Sequence, residues 1–158
     1  MGKYDFPSHD MLVTMNKSQL ATLANRMRSV IISSTAKTGG HLASNLGMVE
    51  ATIALHRVFD AEHDHLVFDV GHQCYAHKLL TGRADGFSSL RSYGGMSGFP
   101  SPLESGSDPF YAGHCGASLS AALGLSEYDK MTGSDAFTVA VIGDAAFSIG
   151  MVFEAMNN

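Results

Sequence analysis

Val139-Ala140-Val141-Ile142-Gly143-Asp144-Ala145 is the stretch that decides the fold. Its first four residues are apolar and mostly β-branched, which reads as a buried strand over Ala136–Ile142. Glycine stops the strand and aspartate follows at once. Small residues then lead into an apolar stretch, Ile149 to Asn158, that reads as a helix. An acid at the carboxyl end of a buried parallel strand stands where open α/β sheets bind ligands. A carboxylate there can hold a hard cation such as Mg²⁺, and the cation can hold a diphosphate. The competing reading of Asp144 is a helix N-cap, since aspartate after a strand often caps the next helix.

Working outward, Leu66-Val67-Phe68-Asp69-Val70, closed by Gly71, reads as a second buried strand, and Ser118 to Met131 as a helix between the two. Strands alternating with helices predict an α/β fold with a parallel sheet. Further upstream, Leu20, Leu23, Ala24, Met27, Val30 and Ile31 recur at helical spacing, predicting a helix from Ser18 to about Ser33 that Gly39-Gly40 ends. Leu46 to Phe59 reads as a second helix, apolar on several faces and hence buried. Met1–Asn16 reads as an extended arm, and Tyr75–Leu80 as a short helix. Gly82 to Tyr111 shows no period and carries six glycines and three prolines. So long a loop in a compact domain points to function, and we expect it to pack on the ligand side of the sheet. The chain ends on a helix where a parallel sheet would return along another strand, so the domain is expected to continue beyond it.

The chain has 158 residues, is 45% hydrophobic and 16% charged, and can therefore bury a core. A formal charge of -5 with no Lys/Arg run argues against nucleic acid as a partner. An anionic ligand would need local help from a metal, histidines or helix N-termini. Cys74 and Cys115 form neither a CxxC pair nor a disulfide framework, which suits a reduced cytoplasm. The first ten residues lack the apolar core of a signal peptide, and no apolar run approaches the ~18 residues of a membrane span.

Three histidines each follow a glycine at element ends: His41, His72 and His114. Glycine allows positive φ and close backbone approach. Imidazole can donate to phosphate oxygens and exchange protons near neutral pH. Unrelated surface or capping histidines are the alternative. His63-x-His65 with His72, Cys74 and His77 matches no zinc spacing, and HExxH is absent. The adjacent His114-Cys115 pair is a poor nucleophile–base arrangement. GxxxxGK[ST] is also absent. Glu50 and Glu154 lie in helical stretches and read as solvated or paired helix charges.

Gly40-His41-Leu42, Asp69-Val70-Gly71-His72-Gln73, His77-Lys78, Leu80-Thr81-Gly82-Arg83, Gly113-His114 and Ile142-Gly143-Asp144 with Gly150-Met151 and Phe153-Glu154-Ala155-Met156-Asn157 resemble the 1-deoxy-D-xylulose-5-phosphate synthase family. The likeness runs in order from about Ser18 to Asn158. The block from Asp69 to Arg83 separates that family from general transketolases and pyruvate dehydrogenases. The resemblance implies a parallel-sheet, diphosphate-binding domain of a thiamine-diphosphate enzyme. Residues 1–17 would form an arm and 18–158 the N-terminal part of that domain, cut before its last strands. The pyrimidine-binding and C-terminal domains would lie outside this sequence.

The implied reaction decarboxylates pyruvate and joins the two-carbon fragment to glyceraldehyde 3-phosphate, feeding isoprenoid, thiamine and pyridoxal synthesis. The complete enzyme would be a cytoplasmic homodimer without nucleic-acid or membrane partners, and this chain alone would be inactive. By motif position, Asp144 would bind Mg²⁺, and Ala145 and Ala146 would meet thiamine diphosphate through their backbones. His72 and the turn Gly113-His114-Cys115 would contact the cofactor, and His41 would be the active-site histidine.

Three departures stand out. Alanine occupies position 145 where the family has glycine; if positive φ is needed there, it costs about 1 kcal/mol. The turn Cys115-Gly116-Ala117-Ser118 has fewer hydroxyls than the family's. The asparagine that completes the metal motif lies some 25 to 30 residues after the aspartate in such families, beyond Asn158. A split transketolase, or a non-catalytic interaction module of the same fold, are the rival readings.

Overall fold

A computed structural model describes residues 5–158. The chain folds as two compact units. One comprises the described residues up to Asp60 together with His72–Gly98; the other comprises Ala61–Gly71 with Phe99–Asn158.

The first unit is helical. Its helices are α1 (His9–Thr14), α2 (Lys17–Thr38), α3 (Leu42–Gly47), α4 (Val49–Val58) and α5 (Tyr75–Leu80), followed by a 3-10 helix over Ala84–Ser89. The axis of its packing is α2, which meets α3, α4, α5 and the 3-10 helix. Asn16 and Gln19 start α2 with a reciprocal capping box: the Asn16 side chain accepts from the Gln19 N–H, and the Gln19 side chain accepts from the Asn16 N–H. The stripe Leu23, Ala24, Met27, Val30 and Ile31 is buried as its spacing predicts. Each large side chain in it contributes about 1.5–3 kcal/mol.

The helix runs past the expected end at Ser33. Ser33, Thr35 and Thr38 turn their hydroxyls back onto the carbonyls of Val30, Ile31 and Ser34, so residues that read as breakers stay helical. Gly39, at φ 77°, is the stop, as the Gly39-Gly40 pair suggested.

Two further expectations are corrected here. The arm expected to be extended contains α1, whose Leu12 is buried and which packs on α4; Ser8 caps it. Residues 1–4 of that arm lie outside the described residues. The single helix expected over Leu46–Phe59 is two, α3 and α4, broken at Met48. The Met48 N–H bonds the Asn45 carbonyl three residues back, tightening the turn beside Gly47.

The second unit holds a two-stranded parallel sheet, β1 (His65–Phe68) beside β2 (Thr138–Val141), in register from His65↔Thr138 to Phe68↔Val141. It also holds α6 (Ser118–Thr132), α7 (Asp144–Phe147) and α8 (Gly150–Met156). Parallel strands require a crossover, and α6 supplies it, packing on both strands and on α8. Leu66, Val67 and Phe68 are all buried, as expected of a strand covered on both faces. The Asp64 carboxylate takes the Phe137 N–H and sets the entry to both strands. The long aperiodic segment is anchored at several points: Phe87, Leu90 and Met96 are buried in the first unit, and Asp108 is buried in the second.

Candidate active site

In the second unit the residues that the sequence singles out gather at the carboxyl ends of β1 and β2. β1 leads into Asp69, which is buried. Its carboxylate accepts the Gly116 N–H at 3.0 Å and the Ser118 N–H at 3.1 Å. Ser118 opens α6, and the N-cap residue Ala117 has no capping side chain. Asp69 therefore caps α6 from the strand, placing negative charge at the helix's positive end.

This bond fastens the turn Gly113-His114-Cys115 beside the end of β1. Gly116 has φ 84°, and a Cβ there would stand 2.9 Å from Ile149 Cγ2, so only glycine fits. His114 and Cys115 are exposed. Immediately after Asp69 the backbone folds into a γ-turn: the Gly71 N–H reaches the Asp69 carbonyl at 2.5 Å, with Val70 at φ 56°. A β-branched residue in that region is strained, and such strain gathers at functional sites.

β2 leads through Ile142 to Gly143, and α7 begins at once with Asp144. The N-cap is Gly143, so the capping reading of Asp144 does not hold. Asp144 is exposed, and its carboxylate makes no hydrogen bond or ion pair with the described residues. Ala145 and Ala146 follow within α7. Among the described residues only Val70 and Arg91 combine positive φ with a side chain, so Ala145 is unstrained. The alanine at this position therefore carries no backbone strain of the kind expected above.

These residues fit a diphosphate held through Mg²⁺. That cation is commonly bound by one or two carboxylates plus phosphate oxygens and water, not by an all-protein cage. Asp144 offers one carboxylate, and no group of three His, Cys, Asp or Glu that could hold a metal occurs among the described residues. Gly113, at φ 141°, leaves open space where a Cβ would be.

In the first unit, His41 and His72 come together. Their ring centroids are 5.0 Å apart and the planes are inclined at 60°. His41 is exposed at the N-cap of α3, and His72 is half-buried. The glycine before each site histidine has positive φ: Gly40 at 133°, Gly71 at 81° and Gly113 at 141°. At Gly40 a Cβ would lie 2.6 Å from the Tyr75 hydroxyl oxygen, so the backbone before His41 tolerates no side chain.

Three contacts escaped the sequence. Asn45, fully buried, donates to the carbonyls of both His41 and His72 and accepts the Tyr75 N–H. Asp69 was legible as a motif residue but not as the cap of α6. His56 on α4 and His77 on α5 are buried and share a hydrogen bond of 2.8 Å between Nε2 and Nδ1. Burial foremost, then the neighbouring His77, His9 and Arg83, push His56 down to about 3. Burial and charges brought from separate elements produce this, and no local pattern signals it.

Glu50 on α4 and Glu154 on α8 are exposed, as their helical positions suggested. Glu50 pairs with Arg28, whose hydrogen bond holds the carboxyl below its ordinary range. His63 and His65 turn to Asp135 and Asp129.

A family model described as 1-deoxy-D-xylulose-5-phosphate synthase, covering that enzyme's N-terminal part, matches residues 5–158. The 1-deoxy-D-xylulose-5-phosphate synthase of Dechloromonas aromatica (strain RCB) is 57% identical over 144 residues, 91% of this chain. Those of Burkholderia pseudomallei (strain 668) and Paraburkholderia phymatum are 54% identical over the same share. The chain spans 23% of the length of each of these relatives. No helix among the described residues is long and apolar enough to cross a membrane. With a family model matched over nearly its whole length and relatives 54–57% identical over 91% of it, the chain belongs to the 1-deoxy-D-xylulose-5-phosphate synthase family.

Proposed function

We propose that this chain is the N-terminal part of the diphosphate-binding domain of a 1-deoxy-D-xylulose-5-phosphate synthase. The complete enzyme is a cytoplasmic, homodimeric transferase. It condenses pyruvate with glyceraldehyde 3-phosphate and releases CO₂, using thiamine diphosphate and Mg²⁺. The observation that carries this reading is Asp144: an exposed carboxylate without a partner among the described residues, at the carboxyl end of β2, in a chain of this family.

When bound, thiamine diphosphate supplies the carbanion chemistry. Asp144 holds the cation that carries its diphosphate. Ala145 and Ala146 offer backbone N–H groups from the first turn of α7, where helix amides lack internal acceptors. Gly113, His114 and Cys115 approach the cofactor as a turn kept in place by Asp69. His72 donates to the cofactor, and His41 orients the reacting carbonyl or moves a proton at an imidazole nitrogen. The 158 residues alone are inactive, since one anchor for the cofactor does not fix the reacting groups to the ~0.5 Å that catalysis needs.

The test is Asp144→Ala in the complete synthase, measured by calorimetric titration with thiamine diphosphate and Mg²⁺. Mg²⁺-dependent affinity should fall at least ~100-fold, about 2.7 kcal/mol. The melting temperature without ligand should not move, because the carboxylate makes no bond with the described residues. Unchanged affinity would reject the metal role.

A further inference from the structure

We infer that Asn45 is a positioning residue that sets the spacing of His41 and His72, acting on both through their backbone carbonyls. The inference rests on the reading of those two histidines as site residues and goes beyond it by naming what holds them as a pair.

The two histidines are 31 residues apart in sequence and belong to different segments of the first unit. Asn45 joins them. Its Nδ2 group donates to the His41 carbonyl at 2.5 Å and to the His72 carbonyl at 2.7 Å. Its Oδ1 accepts the Tyr75 N–H at 2.9 Å, at the first residue of α5. Both amide protons and one oxygen lone pair are therefore used.

Only a side-chain amide carries two donors and an acceptor on one planar group of this length. Aspartate keeps the acceptor and turns the donors into an anion facing two carbonyls. Glutamine is one methylene too long for a fully buried position. Serine has one donor. A residue needed only to fill space here would be apolar, because a buried amide is tolerated only when it is satisfied.

The consequence reaches the imidazoles. His41 is the N-cap of α3, with φ −88° and ψ 93°, and so has no helical neighbour on its N-terminal side to fix it. His72 follows the strained Val70–Gly71 turn. Neither backbone is held by regular secondary structure, and Asn45 gives both a common reference point. The ring separation of 5.0 Å then follows from a three-bond clamp and two rotamers.

The experiment compares Asn45→Asp with Val49→Ala. The latter removes buried apolar contacts on the neighbouring helix α4 and leaves the clamp intact. In the histidine-labelled full chain, the His41–His72 ring–ring NOE is read against the His56–His77 NOE, whose rings are also 5.0 Å apart. We expect Asn45→Asp to weaken the first at least fivefold while the second persists, and Val49→Ala to preserve both. Retention of the His41–His72 NOE in Asn45→Asp, or its equal loss in Val49→Ala, overturns the inference.

Turnover of the complete synthase at saturating substrate and cofactor is the second readout. It should drop at least tenfold in Asn45→Asp and less than twofold in Val49→Ala. A lost NOE with unchanged turnover would support the clamp and overturn the catalytic assignment of the two histidines instead.

Discussion

Asp69 caps helix α6 at Ser118 from 49 residues away, and no residue adjacent to the helix does so. Truncating it strands two backbone N–H groups, those of Gly116 and Ser118, in a buried position. Each orphaned group costs about 1–3 kcal/mol. Asp69→Ala should therefore lose roughly 3 kcal/mol or more, and Asp69→Asn, which keeps one acceptor oxygen, should lose less. Urea denaturation followed by circular dichroism checks this. A loss below about 1 kcal/mol for the alanine variant would mean that the carboxylate does not hold the turn.

The His56–His77 pair makes stability depend on pH. The folded-state value of His56, about 3, lies below the ordinary 6.5. A histidine with a depressed folded value stabilises above its unfolded value. That contribution disappears as pH falls from 6.5 towards 3, because the unfolded chain takes up the proton first. Each pH unit within this window removes up to about 1.4 kcal/mol. The groups facing His56 are His77 from α5, His9 from α1 and Arg83 after α5. The denaturation midpoint should fall between pH 6.5 and 4.5, and more gently in His56→Gln. A slope identical in the variant would assign the acid sensitivity elsewhere.

Gly40→Ala should disturb the backbone carrying His41, for two separable reasons. Its φ of 133° is unfavourable for alanine, and the new methyl would meet the Tyr75 hydroxyl oxygen at 2.6 Å. Tyr75→Phe removes that oxygen and not the dihedral penalty. A double-mutant cycle should show Tyr75→Phe relieving part of the Gly40→Ala defect, with a coupling of about 1 kcal/mol. Strict additivity in thermal unfolding would show that the clash is not felt.

His41 and His72 should separate kinetically in the complete synthase. His72→Ala should raise the thiamine diphosphate Kd by about tenfold or more. His41→Ala should lower kcat by about 100-fold with the cofactor still bound, the scale expected for one proton-transfer group. Small and equal effects at both positions would leave them as surface histidines.

Much of this was legible in the sequence, because local rules carried it. Period and β-branching located the two strands and α2. Three Gly-His pairs foretold three glycines at positive φ, and Asp144 stands at the strand end it was assigned to. The misreadings also have local causes. Hydroxyls that bond back to their own helix made Ser33 look like an end, and apolar residues on several faces of the stretch hid the break at Met48. The buried contacts made by Asn45, Asp69 and His56 depend on pairings across 21 to 49 residues. Neither periodicity nor spacing encodes such pairings.

The sheet also carries a consequence for synthesis of the chain. Phe68 ends β1 and Thr138 begins β2, so the ribosome makes β1 about 70 residues before its partner. The first unit has all its residues once Gly98 has emerged, and the second cannot close until β2 does. At ~5–20 residues per second, the apolar strand Leu66-Val67-Phe68 waits roughly 4–14 s without its pairing edge. Such a segment is prone to pair with other chains. A nascent chain stalled between Gly98 and Thr138 is therefore where chaperone capture should concentrate, and slowing translation there should lower the soluble yield.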